Sequence, residues 1–191
     1  SDKTKVLISP PESMSKSKKN TIDPEAIIKK YGSDAVRWFI LSDSPPEKDI
    51  QWSDTGVSAS NKFLQKFWNL VYQSSKRKIN DKNSNKEIET NFEKKININL
   101  NKIDIAINSF RLNVAIALFY ETYKIFIENF AAAINNDIFK RNVEKICKTL
   151  VPFIPHLAHE CLEVLNAKNH EKWPLIDNTL DDEIKMAIQI N

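Results

Sequence analysis

Apolar residues recur at helical spacing along most of this 191-residue chain. Ile88, Phe92, Ile96, Leu100, Ile103 and Ile107 follow one another in steps of three or four, and so do Leu112, Ile116, Phe119, Tyr123, Phe126 and Phe130. Val57, Phe63, Leu64, Phe67, Leu70 and Val71 make an earlier stripe. Phe139, Val143, Ile146 and Leu150 make a later one, behind a cap expected at Asp137. Each stripe covers one face of a helix. Pro152 and Pro155 stop the fourth of these helices, and a last helix is expected over about 156–165. A Lys-, Asn- and Ser-rich connector, about 74–86, separates the first two. Amphipathic helices in series, joined by short polar links, can hide their stripes only against one another. A mainly α fold, a helical bundle over residues 53–174, is therefore expected.

Residues 1–52 carry a different pattern. Lys5 to Ser9 reads as a short strand closed by Pro10-Pro11, and a polar loop from Glu12 to Thr21 follows. Asp23-Pro24 then supplies an N-cap carboxylate and a proline whose missing N–H costs nothing in a first turn. This helix is expected to run to Tyr31 and to end on Gly32, with Ser33 capping the next one, whose apolar face is Val36, Phe39 and Ile40. Pro45-Pro46 ends it, and Asp49 to Trp52 is a short extended piece. A small α/β unit thus precedes the bundle. At the far end Ile184, Met186, Ile188 and Ile190 alternate as in a strand, so residues 175–191 read as the start of a truncated further domain. The abrupt ends suggest a segment of a longer protein.

Composition narrows the chemistry. Gly32 and Gly56 are the only glycines, too few for a P-loop or a dinucleotide fingerprint. A net charge of +3 is too small to signal nucleic-acid binding by itself. The cations are clustered, however: Lys16, Lys18, Lys19, Lys29 and Lys30 near one end, then Lys62, Lys66, Lys76, Arg77 and Lys78, against an acidic tail from Asp177 to Glu183. Such runs are ordinarily solvated helix faces. Cys147 and Cys161 sit among apolar residues and form no C-x-x-C, which fits a reducing compartment. Neither a signal peptide nor an apolar run long enough for a membrane span is present, and a cytoplasmic location is expected.

The segment Ser13 to Asn20 concentrates hydroxyl, amide and ammonium groups in a loop between a strand and a capped helix. Lysine ammoniums and hydroxyls suit a polyphosphate, because they neutralise charge developing on transferring and leaving phosphates without being consumed. A loop can also close over a nucleotide and reopen.

In its context the loop has a family resemblance. Ser13-Met14-Ser15-Lys16-Ser17 resembles the K-M-S-K-S signature of class I aminoacyl-tRNA synthetases, and Lys18-Lys19-Asn20 and Asp23-Pro24 follow in that family's order. Tyr31-Gly32-Ser33-Asp34-Ala35-Val36-Arg37 resembles the Y-G-A-D-A-L-R segment of subclass Ia. Ser44-Pro45-Pro46-Glu47 and Trp52-Ser53-Asp54 with Gly56-Val57 resemble the leucyl branch. So do Arg111-Leu112-Asn113-Val114-Ala115-Ile116-Ala117 and Pro152-Phe153-Ile154-Pro155-His156-Leu157-Ala158.

The resemblance implies a helical bundle of the anticodon-binding type behind a stem-contact region, about 21–52. It also implies a complete leucine–tRNA ligase that activates leucine with ATP and Mg²⁺ and transfers it to tRNA-Leu, acting as a monomer. By position Lys16 would be the catalytic lysine that stabilises the α-phosphate and departing pyrophosphate, within an ATP-binding loop of Ser13, Met14, Ser15, Lys16 and Ser17. The family's first lysine is Ser13 here, so one ammonium is missing, with Lys18 or Lys19 as replacements. For tRNA phosphates the candidates are Lys18, Lys19, Lys62, Lys66 and Arg111. The catalytic half with its H-I-G-H motif is absent from the chain, so the chain alone is expected to be inactive.

Two other readings stay open: another subclass Ia synthetase (valyl, isoleucyl or methionyl), or a freestanding tRNA- or protein-binding bundle whose loop is coincidental. No metal site is expected, because His156 and His159 lack a third ligand. Trp38 and Trp68 fall in helical patterns and are expected in the core.

Overall fold

Capping residues and apolar stripes together set the seven helices found among the described residues, 12–79, 84–168, 170 and 172–176, of a computed structural model. They are α1 (Pro24–Tyr31), α2 (Ser33–Asp43), α3 (Asp54–Lys76), α4 (Lys86–Asn108), α5 (Leu112–Asn129), α6 (Asn136–Leu150) and α7 (Pro155–Val164). The mainly α expectation holds. The strands expected at Lys5–Ser9 and near the carboxy terminus lie outside the described residues. Within them no strand occurs, and Asp49–Trp52 is neither helix nor strand, so the α/β character expected of the front has no strand to support it.

Two caps differ from expectation. Asp23 caps α1 as read, its side chain accepting from the Glu25 N–H at 3.1 Å. Gly32, at φ 82°, occupies the N-cap of α2, while Ser33 is already its first residue and makes no capping bond. On α6 the cap is Asn135, whose Oδ1 accepts from the N–H groups of Asp137 and Ile138. Asp137 itself lies in the first turn, where its charge favours the helix dipole.

With so few glycines, other residues take the left-handed positions that end helices. Phe110 (φ 55°) sits just past α4, its N–H bonded to Ile107 O and the Arg111 N–H to Ala106 O. Asn166 (φ 52°) repeats the arrangement behind α7, its N–H bonded to Glu163 O and the Ala167 N–H to Leu162 O. Both are Schellman closures, one built on asparagine, which tolerates the conformation, and one on phenylalanine, which does so at a cost.

One core runs through α2 to α7. Trp38 of α2 is fully buried, stacked on Phe63 at 5.3 Å between ring centres and edged by Tyr120 and Phe153. Its indole N–H donates to Tyr120 Oη at 2.9 Å, so the polar atom is satisfied. A second aromatic nest joins α4, α5 and α6 through Phe92, Phe126 and Phe139, with Phe92 and Phe139 stacked at 5.4 Å. Trp68 is half-buried against the core. Cys147 and Cys161 are buried free thiols. Burial, and then the neighbouring Cys161, push the Cys147 pKa well above its ordinary value, which keeps the thiol protonated.

The segment Trp52 to Val57 docks α3 on α2. Ser53 Oγ accepts from the Gly56 N–H at 3.1 Å, and the Trp52 indole N–H donates to Asp54 Oδ1 at 2.9 Å. The Trp52 ring meets Phe39 edge-on, and Val57 is fully buried. Glycine is required at 56 by proximity. A Cβ there would stand 2.5 Å from Phe39 Cε2. Gly56→Ala is expected to destabilise the chain by about 1–3 kcal/mol, read from the denaturant midpoint. A midpoint equal to wild type would show that Phe39 swings aside freely.

Candidate functional site

From Glu12 the loop runs without regular structure, makes one turn over Lys16–Lys19 and continues to α1. The Lys19 N–H donates to Lys16 O at 3.2 Å, closing the turn, and Lys19 lies in the left-handed region at φ 54°. Ser15 Oγ accepts from the Lys18 N–H at 3.3 Å and lies 3.2 Å from Ser17 Oγ. Asn20 reaches back across the turn. Its Oδ1 accepts from the Ser15 N–H at 2.8 Å, and its Nδ2 donates to Ser13 O at 3.4 Å.

The lysines of the loop are not equivalent. Lys18 Nζ pairs with Glu12 Oε2 at 2.9 Å, an ion pair about half exposed on both sides. Such a pair is worth little in stability, yet it spends part of the Lys18 charge locally. The Lys16 side chain is exposed and has no hydrogen bond or ion pair among the described residues. Its ammonium is available to an incoming anion. Met14 is exposed, and with Ser13, Asn20, Asp49, Ile50, Gln51 and Trp52 it lines an open cleft of about 630 Å³.

Behind the loop, α2 ties the front to the bundle by polar contacts that periodicity does not reveal. Asp34 is buried and caps α7 from a distance in sequence: its Oδ2 accepts from the Leu157 N–H at 2.7 Å, and its Oδ1 lies 2.9 Å from His156 Nδ1. Arg37 donates to Phe153 O at 3.0 Å and to Pro152 O at 2.7 Å. The two motifs Y-G-S-D-A-V-R and P-F-I-P-H-L-A therefore hold each other. His156 serves this contact. No group of three His, Cys, Asp or Glu side chains placed to share a metal occurs among the described residues.

The remaining cationic candidates stand apart. Lys62 and Lys66 are exposed one turn apart on α3, and Arg111 is exposed at the α4–α5 turn beside Phe110, which is 66% exposed. No hydrogen bond or ion pair joins them to the loop or to each other. Sequence reasoning assigned no role to Asn20, Asp34 or Arg37. For Asn20 a signal existed, since asparagine side chains bond nearby backbone in turns. Arg77, read as one cation in a basic run, is instead buried. It donates to Phe130 O, Ala132 O, Ile134 O and Asn136 Oδ1, with its guanidinium 4.5 Å from the Phe139 ring centre.

Comparison with known proteins places these observations. Residues 7–53 match the model of class I tRNA synthetases (I, L, M and V), and residues 89–191 match the anticodon-binding domain of tRNA ligase. Leucine–tRNA ligase of Hyphomonas neptunium is 36% identical over 185 residues, 94% of this chain. That of Prochlorococcus marinus is 38% identical over 187 residues, again 94% of the chain. The chain spans 22% of the length of each of these relatives. The fold resembles a solved LeuRS–tRNA–LeuAMS ternary complex from Agrobacterium radiobacter K84, with TM-score 0.78 and 23% identity over 87% of this chain and 22% of that one. With more than half its length matched by the anticodon-binding model and leucine–tRNA ligases as its relatives, the chain belongs to the tRNA ligase family.

Proposed function

We propose that this chain is the loop-bearing and tRNA-binding segment of a leucine–tRNA ligase. The observation that carries the proposal is the loop itself, with Lys16 left unpaired while Lys18 is engaged by Glu12. In this reading the complete ligase joins leucine to ATP as leucyl-adenylate and passes it to tRNA-Leu. Leucine carboxylate attacks the α-phosphate, and negative charge grows on that phosphate and on the departing pyrophosphate. The Lys16 ammonium, brought in as the loop closes, stabilises both. Ser13, Met14, Ser15 and Ser17 complete the ATP-binding loop. Ser15 and Ser17 support its shape through their mutual contact. The ammonium and hydroxyl donors of the loop suit phosphate oxygens rather than a metal, so Mg²⁺ would be held by the nucleotide and would offset part of its charge. With Lys18 paired, Lys19 is the better replacement for the lysine missing at Ser13.

The bundle contributes binding. Lys62, Lys66 and Arg111, together with Lys18 and Lys19, contact tRNA phosphates, so affinity depends on charge and salt rather than on base edges. The ligase is expected to work as a cytoplasmic monomer. Two measurements test the reading. The purified chain is expected to bind tRNA-Leu, with affinity falling steeply as salt rises, and to form no leucyl-tRNA. The complete ligase is expected to exchange pyrophosphate with leucine and not with valine, isoleucine or methionine. Absence of tRNA binding by the chain at low salt would favour a protein-binding bundle, and turnover by the chain alone would overturn the division of labour.

A further inference from the structure

Two side chains reach back across the loop's turn: Lys18, in its half-exposed ion pair with Glu12, and Asn20, through its amide. The bonds from Lys19 N–H to Lys16 O, from Lys18 N–H to Ser15 Oγ, and between Ser15 and Ser17 stay within residues 15–19. Asn20, just past the turn, bonds back to the Ser15 N–H with its oxygen and to Ser13 O with its nitrogen, at 2.8 and 3.4 Å. The enclosed residues include Lys19, whose left-handed backbone is unfavourable for a lysine and persists only where the surroundings enforce it. An amide is suited to this place because one short side chain must accept from one backbone group and donate to another.

We infer that Asn20 is a positioning residue for Lys16: its two-sided clasp across the turn fixes the backbone from which the Lys16 side chain reaches the phosphates during amino-acid activation. Asn20 itself need not touch the nucleotide. Without the clasp the turn relaxes, and Lys16 must be ordered anew in each encounter. The loss then falls on the chemical step more than on leucine binding. This inference rests on the reading of the loop as an ATP-phosphate loop.

The test is a double-mutant cycle in the complete ligase, measured by leucine-dependent pyrophosphate exchange. Asn20→Ala is expected to lower kcat about tenfold, with the KM for leucine within about twofold and the unfolding midpoint unchanged. In a Lys16→Ala background the same substitution is expected to cost less than about twofold, because the group it positions is gone. Equal losses in the two backgrounds, or an Asn20→Ala enzyme at wild-type kcat, overturn the clasp while leaving the loop reading intact. A Lys16→Ala enzyme that exchanges pyrophosphate at the wild-type rate overturns the loop reading instead.

Discussion

Lys16→Ala in the complete ligase is expected to slow pyrophosphate exchange by about 100-fold or more while changing leucine affinity by no more than about twofold. The asymmetry follows from where the charge appears. Leucine binding creates no new charge at the phosphates, whereas the activated complex spreads additional negative charge over the α-phosphate and the pyrophosphate. An ammonium aimed there acts on the transition state and scarcely on the ground state. Lys16 is exposed and has no hydrogen bond or ion pair among the described residues, while nearby Lys18 is held by Glu12 at 2.9 Å. Steady-state exchange with leucine varied at saturating ATP separates the effects. An equal rise in the KM for leucine with kcat intact would assign Lys16 to substrate binding.

Arg77→Met is expected to cost the chain about 3 kcal/mol or more, read as a lower urea midpoint at an unchanged slope. Methionine keeps much of the aliphatic stem and removes every donor. The three carbonyls of Phe130, Ala132 and Ile134 in the turn between α5 and α6 then lose their Arg77 donors, while Asn136 Oδ1 keeps only the Ile79 N–H at 3.0 Å. These groups cannot simply turn to water. Arg77 is only 9% exposed, and the turn is further pinned by Asn135 N–H to Glu89 Oε1 at 2.8 Å and by Asn85 N–H to Ala133 O at 2.8 Å. Burial lowers the Arg77 pKa from its ordinary value, yet the guanidinium remains charged, as its carbonyl partners and the Phe139 face require. A loss below about 1 kcal/mol would mark Arg77 as an ordinary surface cation.

Much of the bundle is legible in local sequence patterns. The stripes at Phe92, Ile96, Leu100 and Ile103, and at Ile116, Phe119 and Phe126, are the faces that are buried. Helix periodicity is local, and burial rewards it directly. The Asp23-Pro24 start of α1 is equally readable because a cap acts over three residues. The displaced caps at Ser33 and Asp137 show the limit of that logic. Several residues near a helix start are competent to cap, and the backbone path before the helix selects among them. At α2 that path runs through Gly32 at φ 82°, and at α6 through Asn135.

Local sequence therefore dictates which segments are helices and, in α3 to α6, which faces they bury. These depend on residues within a few positions of one another. On α2, by contrast, the face read as Val36, Phe39 and Ile40 is instead Ala35, Trp38 and Phe39, with Ile40 exposed. The partners of the distant polar groups come from tertiary packing alone. Asp34 caps a helix that begins at Pro155, Arg37 holds the carbonyls of Pro152 and Phe153, and a lysine-rich run hides Arg77 as the clamp of the α5–α6 turn. The physical reason is that a hydrophobic stripe states only that a face is covered. Which helix covers it, and at what angle, decides the partner of every polar group at the seam, and no local pattern encodes that choice.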